Sequence, residues 1–300
     1  MAGVFNLRQD LIMNPFVYRA CTFMSWLCTL ILVLVIGYLL GFLAFKGGPT
    51  INTSLFFGDT PIWDALTGRL PVWDGIWPAC VGTLLLVGLA AATAIPLGVG
   101  AGIYLGEYAQ GNGKRILAFL VDLLAGTPSI LMGLLGFAAI LFVRRLFDLQ
   151  ARTSLLTASL CVGFLVLPYI VRATQTALES VPGDLRTTAL ALGMTRSQAI
   201  IHVMLPRAAT GIASGIILAV GRAAEDTAVI LLTGVVANAG VPHGLTDKFE
   251  ALPFHIFYLA AEYQNQDELA QAFGTALILL CLTSILFMAT GLISNRLEKQ

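Results

Sequence analysis

The 300-residue chain contains 17 basic and 17 acidic residues, so charged side chains make up 11% of it, whereas a soluble domain usually carries about 25%. Hydrophobic residues reach 57%, which leaves too little polar surface for a soluble globule and predicts an integral membrane protein. The net charge of zero gives no indication of a nucleic-acid partner, and the five scattered cysteines and three isolated histidines form no metal-ligand pattern.

Six apolar stretches are long enough to cross a bilayer, which requires about 20 residues of helix. They predict an all-α integral membrane protein with six transmembrane helices. The stretches lie at residues 22–45, 78–105, 117–143, 155–171, 208–236 and 270–293.

The loops between these stretches alternate in their lysine and arginine content, and the richer set is expected on the cytoplasmic side. The termini and the second and fourth loops together hold ten such residues, and the other loops hold six. Both termini are therefore predicted to be cytoplasmic, although Arg144, Arg145 and Arg152 are local exceptions on the outer side.

Two prolines interrupt the second and third apolar stretches. Pro96 and Pro128 each remove one backbone hydrogen bond and are expected to bend the helix. Thr127 and Ser129 place two hydroxyl groups beside Pro128. Two interpretations remain open, namely a kink filled by neighbouring helices or irregular backbone that lines a substrate path.

The fourth loop, residues 172–207, is the longest cytoplasmic segment and has the pattern of two short helices. Pro182 favours the start of a first helix that runs through Leu192, and Gly193 can then adopt the left-handed conformation. Thr195 and Gln198 have capping-box spacing, so a second helix is expected to follow at once and to end before Pro206.

These two helices would form a rigid elbow that projects from the membrane. A solvated connector has little reason to carry apolar side chains, and this segment has six of them: Leu190, Leu192, Met194, Ile200, Ile201 and Val203. The pattern therefore favours a docking surface for another protein.

Three charged residues lie in the otherwise apolar fifth stretch: Arg222, Glu225 and Asp226. A charge at the centre of a membrane helix costs about 2.5–3.5 kcal/mol on the lenient insertion scale, so such residues are expected to pair and to face protein or water. At helical spacing both acids lie about one turn from Arg222. An ion pair that only orders packing is one interpretation of this cluster.

An oxyanion path is the other interpretation of the cluster. Arginine offers planar, bidentate donors that match phosphate oxygens. A carboxylate can accept the proton of monohydrogen phosphate and repels sulfate, which carries no proton at neutral pH.

No ATP-binding or catalytic motif is present in the sequence. The segment at Gly111–Arg115 lacks the first glycine and the final Ser/Thr of a P-loop, and HExxH and GxSxG are absent. We therefore expect a transport subunit and not an enzyme. A passive channel or an ion-coupled carrier would not need the cytoplasmic elbow.

Residues 187–206, TTALALGMTRSQAIIHVMLP, resemble the cytoplasmic signature of the permeases of ABC importers. The positions in register with that signature are Ala189, Gly193, Val203, Leu205 and Pro206. Thr187 and Thr188 stand where the family usually has Glu-Ala. The resemblance implies that the elbow, including Leu192, Met194 and Thr195, is the coupling helix that enters a groove of the ATPase.

Further segments resemble the phosphate-specific members of that family, and in particular their A-type subunit. These segments are Trp77-Pro78-Ala79, Ile103–Tyr108, Ala125–Ser129, Gly221–Ala228 and Ala251–Phe257. In those permeases an arginine and an acid recur four residues apart, which matches Arg222 and Asp226. Glu225 stands where they usually have glycine.

The resemblance implies the bundle of a type I importer permease, also called MetI-like. Residues 1–73 would be an anchor helix with an external loop, and residues 74–295 the permease domain with its coupling loop at 172–207. The implied function is import of inorganic phosphate across the inner membrane of a prokaryote, with another oxyanion such as sulfate or molybdate as the alternative. A packing-only subunit whose partner carries the substrate path is a further, weaker alternative.

The resemblance also implies the partners. They are a second, C-type permease subunit, two ATPase subunits that bind ATP and magnesium, an external phosphate-binding protein and the lipid bilayer. The chain itself would hold no cofactor and no metal. Its substrate path would include Arg222, Asp226, Glu225, Thr127 and Ser129.

Overall fold

The structure is a computed structural model, and it describes residues 15–67, 69–147 and 152–297. Most of these residues are helical, and among them the sole β pairing is an isolated bridge between Val235 and Phe249. The helices are α1 (Pro15–Gly47), α2 (Thr53–Phe57), α3 (Ile62–Leu66), α4 (Trp77–Ile103), α5 (Gly111–Ala125), α6 (Ser129–Phe147), α7 (Leu155–Glu179), α8 (Gly183–Ala191), α9 (Arg196–Ala199), α10 (Leu205–Glu225), α11 (Ala228–Thr233), α12 (Leu252–Glu262) and α13 (Gln266–Leu297).

Six helical segments within the described residues are long and apolar enough to cross a membrane, as the sequence predicted. They comprise Tyr18–Thr50, Trp77–Tyr108, Ser129–Leu146, Leu155–Glu179, Arg196–Glu225 and Gln266–Leu292. Two of them continue through a π-helical turn, Tyr104–Tyr108 after α4 and Ile200–Met204 between α9 and α10. The predicted all-α bundle with six spans is confirmed.

Three predicted span boundaries are wrong. The third stretch, 117–143, is divided into α5 and α6 because the chain leaves the helix before Pro128. The fourth continues eight residues beyond Val171 to Glu179, since Arg172 extends from the helix to bind Asp122 (Nε to Oδ1, 2.8 Å). The fifth ends at Glu225, not at residue 236.

Among Pro96, Pro128 and Pro206, only Pro206 contradicts the expectation. Pro96 lies inside α4, which remains one helix, and the bend expected there stays a prediction. Pro128 does separate two helices. Pro206 falls in the first turn of α10, where a helix needs no N–H donor, so the second elbow helix does not end before it.

Helices α4, α7 and α10 form the centre of the bundle, and small residues bring them together. A Cβ at Gly98 would lie 2.8 Å from Ile170 of α7, so α4 and α7 are in backbone-level contact there. On the other side of α7, Gly211 of α10 packs against Ala177. Such seams are typical of membrane helices, where lipid gives no hydrophobic drive for association.

The two ends of the bundle carry the loops in the predicted alternation. At one end, here called the elbow end, Lys114 at the start of α5 pairs with Glu179 at the end of α7 (2.7 Å). At the opposite end, the N–H of Ser154 before α7 donates to the carbonyl of Thr233 in α11 (3.0 Å). The termini were predicted on the elbow side, and their residues 1–14 and 298–300 lie outside the described residues.

Helix α1 is attached to the bundle near its C-terminal end. Gly47 packs against the backbone of Phe273 in α13, whereas the apolar side chains from Phe23 to Phe42 are exposed. The following α2 packs more closely, because Leu55 is buried in a cluster with Ile76 and Leu252. A domain boundary between residues 73 and 74 stays a prediction.

Candidate functional site

The fifth span is interrupted where its charged residues lie. Asp226 follows the last residue of α10 and has extended backbone angles (φ −76°, ψ 118°). Its Oδ1 accepts a hydrogen bond from the N–H of Val229 (2.9 Å), so the carboxylate caps the start of α11. A short polar side chain that binds the backbone three residues ahead is a common way to begin a new helix. The predicted continuous helix through residue 236 is therefore wrong.

Arg222 and Asp226 form the ion pair that their four-residue spacing predicted. Arg222 Nη2 lies 3.3 Å from Asp226 Oδ2. The Asp226 side chain is 2% exposed and the Arg222 side chain 42% exposed, so the guanidinium lies between the buried acid and the surface of the chain. Glu225 is exposed beside them.

This ion pair lies near the middle of the bundle along the helix axes. Gly215 of α10 packs on Ala173 of the antiparallel α7, so Arg222, two turns further, is level with Val166. Val166 is close to the midpoint of α7, and it lines the same small cavity as Ala223. The charges therefore lie at the depth where the energetic cost of charge is greatest and a functional role is expected.

The geometry assigns different parts to the two acids. Both Asp226 oxygens have partners, one in the Val229 N–H and the other in Arg222. The groups that an anion could meet are the exposed face of the Arg222 guanidinium and, next to it, the Glu225 carboxylate. Asp226 therefore orients Arg222, and its predicted place in the substrate path stays a prediction.

The two hydroxyl residues beside Pro128 lie at the break between α5 and α6. Thr127 is half-buried and donates to the carbonyl of Leu123 (2.9 Å), so its hydroxyl completes the end of α5. One turn after Ser129, Gly133 packs on Ala228 at the start of α11. The breaks in the third and fifth stretches are thus neighbours in the bundle, although no contact joins Thr127 or Ser129 to Arg222 among the described residues.

The elbow has the predicted form. Helix α8 ends at Ala191, Gly193 has a φ of +83°, and Thr195 and Gln198 make both hydrogen bonds of a capping box. Leu192 is 76% exposed at the tip. The turn chemistry of the sequence therefore sets the angle between the two elbow helices.

The predicted coupling residues face two directions. Ala189 is buried, and Met194 is half-buried. Leu192 and Thr195 are exposed, as is Pro206 further along the chain. A docking partner could therefore contact Leu192 and its exposed neighbours, while Ala189 fixes the elbow from the inside.

Three functional candidates at the elbow were missed by the sequence reasoning. Glu107, in the π-helical turn after α4, is buried and pairs with Arg186 of α8 (2.6 Å). Arg196 of α9 donates to the Glu107 carbonyl. A lone acid at the end of an apolar stretch was the available signal, but its partners lie far along the chain.

A larger cavity, of about 900 Å³, lies apart from the ion pair. It separates α6 from α7 and has mainly apolar walls, including Leu135, Leu160 and Phe164. Its polar lining residues, such as Arg152 and Asp247, are at the end of the bundle opposite the elbow. Among the described residues, no group of three or more His, Cys, Asp or Glu could hold a metal ion.

Comparison with known proteins identifies the family. Residues 98–299 match the family described as "binding-protein-dependent transport system inner membrane component". The chain belongs to this family. It is a multi-pass inner membrane protein and a transporter subunit, as the six spans also indicate.

Curated members of the family are similar over most of the chain. The chain is 35% identical to the phosphate transport system permease protein PstA 1 of Mycobacterium tuberculosis, over 76% of this chain and 74% of that protein. It is 32% identical to the phosphate transport system permease protein PstA of Haemophilus influenzae, over 85% and 83% of the two chains.

Solved structures of other ABC transporters show the same fold. A chain of the MetNI methionine ABC transporter has a TM-score of 0.56 at 20% identity, covering 79% of this chain and 97% of that one. A chain of a bacterial alginate ABC transporter gives 0.58 at 15% identity, over 92% and 96%. The predicted MetI-like bundle of ABC importer permeases is confirmed.

Proposed function

We propose that this chain is the membrane permease subunit through which an ATP-driven importer moves inorganic phosphate across the inner membrane. The observation that supports phosphate most directly is the ion pair at mid-depth, with Arg222 half-exposed and oriented by a buried acid. A guanidinium held in this way presents planar donors to an oxyanion. Relatives named as phosphate permeases are 35% and 32% identical to this chain over 76% and 85% of its length.

The elbow supports the proposal that separate subunits supply the energy for transport. Its tip exposes Leu192, and α8 and α9 are joined by a glycine in the left-handed conformation. We assign this surface to two ATPase subunits that hold ATP and magnesium, which places the elbow end and both termini in the cytoplasm. The complete importer would also contain a second, C-type permease and an external phosphate-binding protein.

Uptake measurements test this function. Cells with and without the gene are given labelled phosphate, sulfate or molybdate, and initial rates of uptake are compared. Loss of phosphate uptake with sulfate uptake unchanged supports the proposal. Loss of sulfate or molybdate uptake with phosphate unchanged would assign the chain to another oxyanion.

A further inference from the structure

One buried acid of the membrane bundle contacts both helices of the elbow. Glu107 lies at the end of the second span, in the π-helical turn Tyr104–Tyr108, and its side chain is 1% exposed. A buried carboxylate is costly unless it is paired, so its position depends on the cations around it.

Each of the two elbow helices supplies one arginine to this acid. Arg186 of α8 donates from Nη2 to Glu107 Oε1 (2.6 Å). Arg196 at the start of α9 donates to the backbone carbonyl of Glu107, and its guanidinium lies over the ring of Tyr108 (5.0 Å to the centroid). One turn of the second span therefore fixes both helices of the elbow.

The contact is polar and only partly satisfied, so packing alone does not explain it. Glu107 Oε2 and Arg186 Nε are buried and have no partner among the described residues. Both residues line a cavity of about 270 Å³ between the elbow and the bundle, together with Leu190 and Arg196. Apolar residues of similar volume would often stabilise the protein more than a buried ion pair does. The ion pair therefore points to a role in positioning the elbow against the second span.

Two π-helical turns lie at this contact. One is the turn that carries Glu107, and the other is Ile200–Met204, between α9 and α10. Isolated π turns are uncommon and occur often at functional sites, because they interrupt the regular hydrogen bonding of an α-helix. The joint therefore lies between two segments whose backbone is already irregular.

We propose that Glu107, Arg186 and Arg196 form a joint that transmits displacement of the elbow to the second span. It rests on the proposed function, in which an ATPase moves the elbow. The second span can pass this displacement on to α7, because Gly98 and Gly102 of α4 pack on that helix. Helix α7 in turn packs on Gly211 and Gly215 of α10, which carries the mid-depth arginine. The three joint residues are positioning residues for transport and do not contact the substrate.

The test separates coupling from docking and from folding. The importer, with its ATPase and second permease, is purified with the wild-type chain or with Glu107→Gln, reconstituted into liposomes and supplied with its phosphate-binding protein. ATP hydrolysis, phosphate transported per ATP and retained ATPase are measured. Glu107→Gln should keep its ATPase and hydrolyse ATP, while phosphate per ATP falls about tenfold, a typical size for coupling between sites.

Two further variants complete the experiment. Arg196→Ala removes a contact from an exposed residue and leaves no buried charge unpaired, so it should fold and should also lower phosphate per ATP. Glu179→Gln is the matched control, because the Lys114–Glu179 pair lies at the same end but joins α7 to α5. It should transport normally.

The outcomes assign failure to one proposal or the other. A wild-type ratio of phosphate to ATP in both joint variants would overturn the joint, as would parallel loss of ATPase association and transport. If the wild-type chain binds no ATPase, the proposed function fails instead. A ratio lowered equally by Glu179→Gln would show that any change of charge at this end acts alike, and it would also overturn the joint.

Discussion

Single residues decide how the mid-membrane charge is used. Asp226 binds the N–H of Val229 with one oxygen and Arg222 with the other, so it is at once a helix cap and an orienting group. A substitution there alters helix structure as well as charge. Asparagine retains an acceptor oxygen for the cap, and it is therefore the replacement that isolates the effect of charge.

The first prediction concerns the double variant Arg222→Gln with Asp226→Asn. It leaves no unpaired buried charge and keeps the cap, so its membrane abundance should equal that of the wild type. Its phosphate uptake should fall at least about tenfold, because charge-assisted hydrogen bonds to an anion are worth about 1.5–3 kcal/mol. Immunoblotting of membranes and initial uptake rates measure both quantities.

Arg222→Lys provides the matched comparison. It keeps the charge but loses the planar fork, so transport should be impaired if Arg222 contacts the oxyanion. Full transport by the double variant would show that the pair serves packing alone, and the substrate path would then have to lie elsewhere.

The second prediction concerns Glu250, which lies in the segment between α11 and α12. It is buried, and Oε1 accepts from the N–H of Gly240 (3.1 Å). Burial raises the pKa of this carboxyl above its ordinary value, and hydrogen bonds from Gly240 and Ala239 oppose the shift. The folded state therefore binds the proton more tightly than the unfolded state, and this residue's contribution to stability should rise as pH falls towards the raised pKa.

Glu250→Gln removes the buried charge and keeps the acceptor oxygen. Thermal unfolding of the detergent-purified protein at pH 7 and pH 5 tests the sign. The wild type should gain stability relative to the variant on going to pH 5, and the variant should be at least as stable at pH 7. A wild type that loses stability relative to the variant at pH 5 would contradict the direction of this pKa shift.

Some of the site could be read from the sequence, and some could not. The spacing of Arg222 and Asp226 predicts an ion pair because helix geometry is local. The partners of Glu107 lie 79 and 89 residues away, at Arg186 and Arg196, and no local rule connects them.

At the scale of elements, the elbow was predictable because turn chemistry specifies it. Gly193 has a φ of +83°, and a Cβ there would meet no neighbouring atom within 4 Å. The requirement for glycine is thus one of backbone conformation and not of space. Replacing this glycine by an L-residue that keeps the positive φ costs about 1–2 kcal/mol.

The third prediction follows from this requirement for a positive φ at Gly193. Gly193→Val should misorient α9 relative to α8, so the chain should insert normally but lose ATPase association and phosphate uptake. Gly183→Val is the control: Gly183 begins α8, is exposed, has open space for a Cβ and does not have a positive φ. Copurification of the ATPase measures the effect, and normal association in Gly193→Val would contradict the docking assignment.

The breaks within spans were less predictable than the spans themselves. Hydropathy identified all six, since an apolar run of sufficient length is itself the requirement for crossing a bilayer. It did not distinguish Pro96, which α4 accommodates, from Pro128, where two helices separate. That difference depends on how neighbouring helices satisfy the freed backbone groups, which is a tertiary property.

At the scale of the whole molecule, the face of α10 that carries Arg222 is incomplete in a single chain. Leu218, one turn before Arg222, is 59% exposed. The cluster holds one arginine and two acids, Glu225 and Asp226, so its net charge is negative when both acids are ionised. An anion path along this face requires positive charge from another chain, which favours a heteromeric core with a C-type permease.

The fourth prediction tests that assembly by crosslinking. In a chain whose five native cysteines are replaced by alanine, Leu218→Cys should crosslink to a different polypeptide. Val220→Cys, on the same helix but buried within this chain, should not. Crosslinks only to a second copy of this chain would indicate a homodimer and would contradict the heteromeric core, because a second copy adds the same negative cluster.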